Sequence, residues 1–148
     1  MCDYSLNGIK NRLAREGETL ITYRFYTGSK GLTSPEYLNP IPTARGLWAK
    51  LKSMFDCELS VCAVCIPDGA RLILDGITPE FQKRYHLSTI ETVTFRQLSA
   101  NAGSYRDAVE FANGRRVLLQ ELEEGLHVQV CDLSPAENIL RERLIAAN

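Results

Sequence analysis

The side chains best equipped for chemistry in this sequence are its five cysteines, its two histidines and a lysine flanked by glycines. Cys57, Cys62 and Cys65 are separated by four and then two residues, the ligand spacing of a plant-type iron–sulfur cluster. Against that chemistry, Cys62-Ala-Val-Cys-Ile66 reads as a buried strand, where an odd separation points Cys62 and Cys65 to opposite faces. Cys131, His86 and His127 have no ligand-pair spacing, so a zinc site would have to be assembled entirely by the fold. The expectation is that the cysteines are small hydrophobes and that the protein holds no metal and no cofactor. A metal- or cofactor-binding protein using these cysteines is the alternative.

Cys2 has a different potential. If Met1 is removed, its thiol shares a residue with a free α-amine, whose ordinary pKa of about 7.7–8.0 suits a base at neutral pH. Asp3 would stand next to it to orient the ammonium or a water. That makes Cys2 and Asp3 the candidate catalytic residues of a thiol enzyme, against the ordinary reading of a tucked or frayed terminus. Gly28, Ser29 and Lys30 resemble a fragment of a phosphate loop but lack its remaining glycines, so they form a candidate anion site against the simpler reading of a turn. His127 and Cys131 fall on one face of a strand but roughly 13 Å apart, too far for a thiol–imidazole pair.

The elements that must position these residues belong to one domain spanning 1–148, long enough to bury a core without staples. Apolar residues make up 45% and charged residues 24%, a globular composition. Seventeen basic and eighteen acidic residues leave a net charge of −1, so no overall field draws nucleic acid, which is excluded as a partner. No run approaches the ~20 apolar residues of a membrane helix, and no basic and apolar leader follows Met1. The sequence thus reads as cytoplasmic, without an integral membrane segment and with reduced thiols.

The stretch 104–133 predicts a meander of three antiparallel strands around which the rest packs. Val109 and Phe111 alternate with Ala108 and Glu110, and Asn113-Gly114 signals a type I′ hairpin loop. That loop would set Phe111 opposite Arg116 and Val109 opposite Leu118. A turn at Glu123-Glu124-Gly125 leads to a third strand with Leu126, Val128 and Val130 on one face. Earlier in the chain, 18–26 reads as a strand with Ile21, Tyr23 and Phe25 on one side. The proline-spaced stretch 27–43 reads as a long loop. Over 44–56, Leu47, Trp48, Leu51, Met54 and Phe55 form the apolar stripe of a short helix, which packs on the core or serves as an interaction surface. Strands at 62–66 and 70–74, joined by Pro67-Asp-Gly69, read as a second hairpin. Thr78-Pro79 starts a helix to about His86, and Val93 and Phe95 share a face of a strand over 90–98. A last helix over 134–147 starts at Ser134-Pro135, with Ser134 as cap and Glu137 closing a capping box.

Met-Cys-Asp-Tyr-Ser-Leu at 1–6, Tyr-Arg-Phe at 23–25, Thr-Gly-Ser at 27–29, Ala-Val-Cys-Ile-Pro at 63–67 and Tyr-Arg-Asp-Ala-Val-Glu-Phe at 105–111 make the chain resemble a group of short uncharacterised bacterial proteins. The resemblance implies a bacterial, single-domain, mostly β protein and transfers no catalytic residue. The fold expected from the residues is α+β and mostly antiparallel: a curved sheet or small, partly open barrel of hairpins with two or three short flanking helices. The function expected first is non-enzymatic binding of a protein or small ligand.

Overall fold

The computed structural model describes residues 6–38, 61–98 and 104–147. Nine strands form one sheet: β1 (Asn11–Leu13), β2 (Thr19–Arg24), β3 (Lys30–Thr33), β4 (Ala63–Cys65), β5 (Arg71–Asp75), β6 (Ile90–Gln97), β7 (Asp107–Phe111), β8 (Arg116–Leu118) and β9 (His127–Asp132). Their order across the sheet is β1-β4-β3-β2-β9-β5-β6-β7-β8, antiparallel throughout except for the β1–β4 pair. The sheet curls into a half-barrel that carries, among the described residues, two short helices, α1 (Pro79–Tyr85) and α2 (Ser134–Ala146). This is the α+β curved sheet that the alternating apolar pattern leads one to expect.

The curl encloses the main core. Leu20, Leu72, Leu74, Val93, Phe95, Val109, Val117, Val128 and Val130 are buried in it, and α1 adds Phe81. Complete burial of side chains of this size stabilises by about 1.5–3 kcal/mol each. A second, smaller core lies on the opposite face of β3 and β4, since neighbouring residues on a strand point to opposite sides. Val64 and Leu32 enter the first core, while Ala63 packs with Leu6, Ile9, Phe25 and Val61 in the second. Gly31 sits under this second core, and a Cβ there would come within 2.8 Å of Leu6 Cδ1. The glycine is needed for closeness, not for an unusual backbone angle.

Several sequence expectations are corrected. The β7–β8 loop has three residues, because Phe111 pairs with Arg115 through Phe111 N–H to Arg115 O, at 2.8 Å, and Gly114 N–H donates to Phe111 O at 2.9 Å. Of the three loop residues, Ala112, Asn113 and Gly114, only Gly114 has a positive φ, +81°, so the turn is a type I turn closed by a glycine bulge, not a type I′ turn. Val109 therefore faces Val117, and Glu110 faces Arg116. This register sets two core valines together, and it frees Asn113 to donate to the Tyr85 and His86 carbonyls at the end of α1.

The three-stranded meander does not form. β8 is an edge strand, and β9 lies between β2 and β5 in the middle of the sheet. Between β8 and β9 the chain makes a 3-10 turn, Leu119–Glu121, that buries Leu119 and leads to the buried Leu122. The strands at 63–65 and 71–75 do not pair with each other either, so there is no second hairpin. β4 joins β1 and β3, and β5 joins β6 and β9. The stretch 27–43, expected as one loop, contains β3 and a 3-10 turn, Pro35–Tyr37. The positions 39–43 and the expected helix over 44–56 lie outside the described residues.

Both C-terminal expectations about helices hold in extent and differ in detail. Thr78 caps α1, accepting from Phe81 N–H, with Pro79 in the first turn. At α2 the cap is not Ser134. Asp132 Oδ1 accepts from both Ser134 N–H, at 2.9 Å, and Ser134 Oγ, at 2.6 Å. These bonds hold the Asp132 carboxyl below the usual carboxylate range, with Arg71 adding to the effect.

Candidate functional site

The candidates read from the sequence fall in separate places. Gly28, Ser29 and Lys30 form the turn between β2 and β3 and the start of β3, with Gly28 at φ +83°. Gly28 N–H donates to Phe25 O, and Ser29 O accepts from Phe25 N–H. Lys30 N–H donates to Gln120 Oε1 at 2.9 Å, and the Lys30 ammonium donates to Leu122 O at 2.6 Å. Two of the three backbone donors and the ammonium are thus engaged within the fold, and the segment is built as a hairpin turn.

Gln120 completes the same arrangement. Its amide Nε2 donates to Lys30 O at 2.8 Å while its Oε1 accepts from Lys30 N–H, so one side chain pairs with β3 as a neighbouring strand would. The 3-10 turn carrying it thereby bridges the open side of the curl. Close by, Thr22 Oγ1 donates to Glu123 O and accepts from Leu126 N–H, and the Glu123 carboxylate accepts from Thr78 N–H and its hydroxyl. This seam is polar and internally satisfied.

Cys62 is half-buried and free, Cys131 is exposed and free, and Cys65, 4% exposed, is disulfide-bonded. The disulfide corrects the expectation that the cysteines are reduced throughout. His127 and Cys131 lie on the outward side of β9, where His127 stands opposite Asp75 and Ile21. Among the described residues, no group of three or more His, Cys, Asp or Glu side chains is placed to hold a metal ion. Cys2, Asp3, Cys57 and the stripe of Leu47, Trp48, Leu51 and Phe55 lie outside the described residues.

What the fold does bring together, among the described residues, is the end of β6, the 67–69 turn and α2. Leu98 N–H donates to Arg106 O at 2.8 Å at the base of that connection. Asp68, in the 67–69 turn, accepts from Gln97 N–H through Oδ1 at 3.2 Å and lies 3.5 Å from Arg143 Nη2 through Oδ2. Gln97 Nε2 in turn reaches Asp107 Oδ1 at 3.4 Å. Asp68 therefore ties the end of β6 to the last turns of α2.

The same turn seats the helix. Gly69 has φ +93°, donates to Phe95 O, and lies so close to α2 that a Cβ would come within 2.6 Å of Ile139 Cδ1. Ala136 is buried beside it, and Leu133 N–H donates to Glu16 Oε1 just before the helix starts. α2 is thus fixed by its first turns. From position 141 to 147 every residue is exposed, and this part includes Leu144, 68% exposed, and Ile145, 75% exposed.

Four of the seven large hydrophobic side chains exposed among the described residues, Leu98, Tyr105, Leu144 and Ile145, belong to the segments that follow β6, precede β7 and end α2. Leu144 and Ile145 are adjacent on the part of α2 that is exposed throughout.

Two other charged groupings are structural. Glu110 accepts from Arg116 and Arg96, bonds that hold its carboxyl low, and these three link β6, β7 and β8. Burial pushes the Glu18 carboxyl up, but hydrogen bonds from the Arg12 guanidinium and Arg15 N–H outweigh it and the net shift is downward. Comparison with protein-family models, with curated proteins and with solved structures returned no match. No helix among the described residues is long and apolar enough to cross a membrane.

Proposed function

We propose that the chain is a non-enzymatic binding domain that docks a protein through the exposed end of α2, with Leu144 and Ile145. The observation that carries this reading is that two adjacent large apolar side chains, 68% and 75% exposed, stand on the end of a helix held at its first turns by the close approach of Ile139 to Gly69. Adjacent exposed aliphatic side chains beside an arginine supply contacts of the kind an interface uses. The apolar stripe of Leu47, Trp48, Leu51 and Phe55, read from the sequence, supports the same reading as a further contact.

The test compares the chain with its Leu144→Glu/Ile145→Glu variant. Each is immobilised, the protein it retains from an extract of the source cells is identified and purified, and binding is then titrated directly. At least about tenfold weaker binding by the variant is expected, with an unchanged circular dichroism spectrum, since loss of central apolar contacts costs more than ~1 kcal/mol. Equal binding would remove this surface from the proposal.

A further inference from the structure

We infer that Asn113 is a modification site, at which loss of the side-chain amide releases the end of α1. An asparagine followed by glycine can react with its own chain. The Gly114 backbone nitrogen attacks Asn113 Cγ, the Cγ–Nδ2 bond breaks, and the Gly114 proton departs with Nδ2 as ammonia, leaving a five-membered succinimide. Water then opens the ring to aspartate or isoaspartate, so one water is consumed for each ammonia released. Glycine favours the attack because it has no Cβ to shield the nitrogen. Asn113 and Gly114 are both exposed in the β7–β8 loop, within reach of the water that the second step needs.

The folded loop restrains this reaction and sets its consequence. Gly114 N–H, the source of the nucleophile, donates to Phe111 O at 2.9 Å. The Asn113 amide is held at both ends: Nδ2 donates to Tyr85 O at 3.2 Å and His86 O at 3.4 Å, and Oδ1 accepts from Arg115 N–H at 3.0 Å. Reaction therefore waits for the loop to open. Afterwards a carboxylate stands where the amide donated. It has no proton to offer the Tyr85 and His86 carbonyls, and it brings negative charge to the C-terminal end of a helix, where the dipole is negative too. Isoaspartate also adds a backbone atom to a loop of three residues. His86, the left-handed cap residue of α1 at φ +57°, loses a tether in either case. The loop cannot reclose as before, and the change runs one way.

A second Asn-Gly pair serves as the reference. Asn7 and Gly8 are also exposed, with Gly8 at φ +86°, but among the described residues neither the Asn7 amide nor Gly8 N–H makes a hydrogen bond. Peptide mapping by mass spectrometry, on the whole chain aged in mildly alkaline buffer, compares the two. In the folded protein Asn113 is expected to convert about tenfold to a hundredfold more slowly than Asn7, as an opening equilibrium requires, and in urea the two are expected to convert alike. Asn113→Asp is expected to speed hydrogen exchange at the His86 and Leu87 amides, both bonded to Gln82 O, by at least about fivefold, and by more than Asn113→Ala, which removes the donors without adding charge. Asn7→Asp should leave those amides unchanged. A folded chain in which Asn113 converts as fast as Asn7, or not detectably at the slow limit, overturns the inference, as does an Asn113→Asp variant whose His86 and Leu87 amides exchange like wild type.

Discussion

The seam closed by Gln120 and the end occupied by α2 use the same device to opposite effect. In both, side chains distant in sequence hydrogen-bond to backbone and so tie one element to another. At the seam, Gln120 binds both backbone groups of Lys30, and Thr22 and Glu123 are satisfied within the fold. At the α2 end, Asp68 joins Gln97 and Arg143, and the helix beyond Arg143 carries Leu144 and Ile145 facing solvent. One tie shuts the core, and the other holds out a surface. On the proposed reading, stability and recognition are separable here, and substitutions can show it.

The largest expected effect is at the seam. Leu122→Ala removes a fully buried side chain where the bridging turn meets the core, and should cost about 2–5 kcal/mol in chemical denaturation. Gly69→Ala comes next, at about 1–3 kcal/mol, because the new Cβ meets Ile139 at a backbone angle that L residues rarely adopt. The same change should loosen α2 and so disturb docking as well, which makes it the one position where the two regions are expected to couple. Gln120→Ala should cost about 1–2 kcal/mol, leaving two backbone groups of β3 without their partner, and amide exchange at Lys30 should speed up.

Acid should act on the ties through the carboxyls held low. Asp132, Glu110 and Glu18 have folded pKa values below their ordinary ones of 3.8, 4.5 and 4.5. Their contribution is present above those values and is lost as pH falls from about 4.5 through the lower folded pKa values. Asp132→Asn should flatten the acid limb of the stability profile measured by urea titration at pH 5 and pH 3. The smallest effect is expected for Leu144→Glu, within about 0.5 kcal/mol of wild-type stability, since the side chain is solvent-facing. A loss above 1 kcal/mol there would show that α2 packs more tightly than its exposure indicates, and the separation between the two regions would fail.

The parts of this fold legible in the sequence are those set by neighbours. Alternation gave Val93 and Phe95 their shared face, and Thr78-Pro79 marked the start of α1. Misreadings arise where a residue answers to something distant. Gly31 looks like part of a turn, yet it lies within a strand because Leu6 packs against it. Asn113-Gly114 looks like a type I′ pair, yet Asn113 adopts another conformation and binds the end of α1. The link from β6 to α2 was illegible for the same reason, because it runs through Asp68, 75 residues from Arg143.

The central place of β9 has a consequence during synthesis. Thr22 waits for Leu126, 104 residues later, before its strand gains that neighbour. Until then β2 and its hairpin emerge into the cell with one edge unpaired, and β5 does likewise. A chain made from its N-terminus cannot finish this sheet progressively; the middle strand arrives among the last and must insert between two that are already present. The nascent protein therefore spends most of its elongation with two sticky flanks, a period in which chaperone contact or pairing with another nascent chain competes with completion.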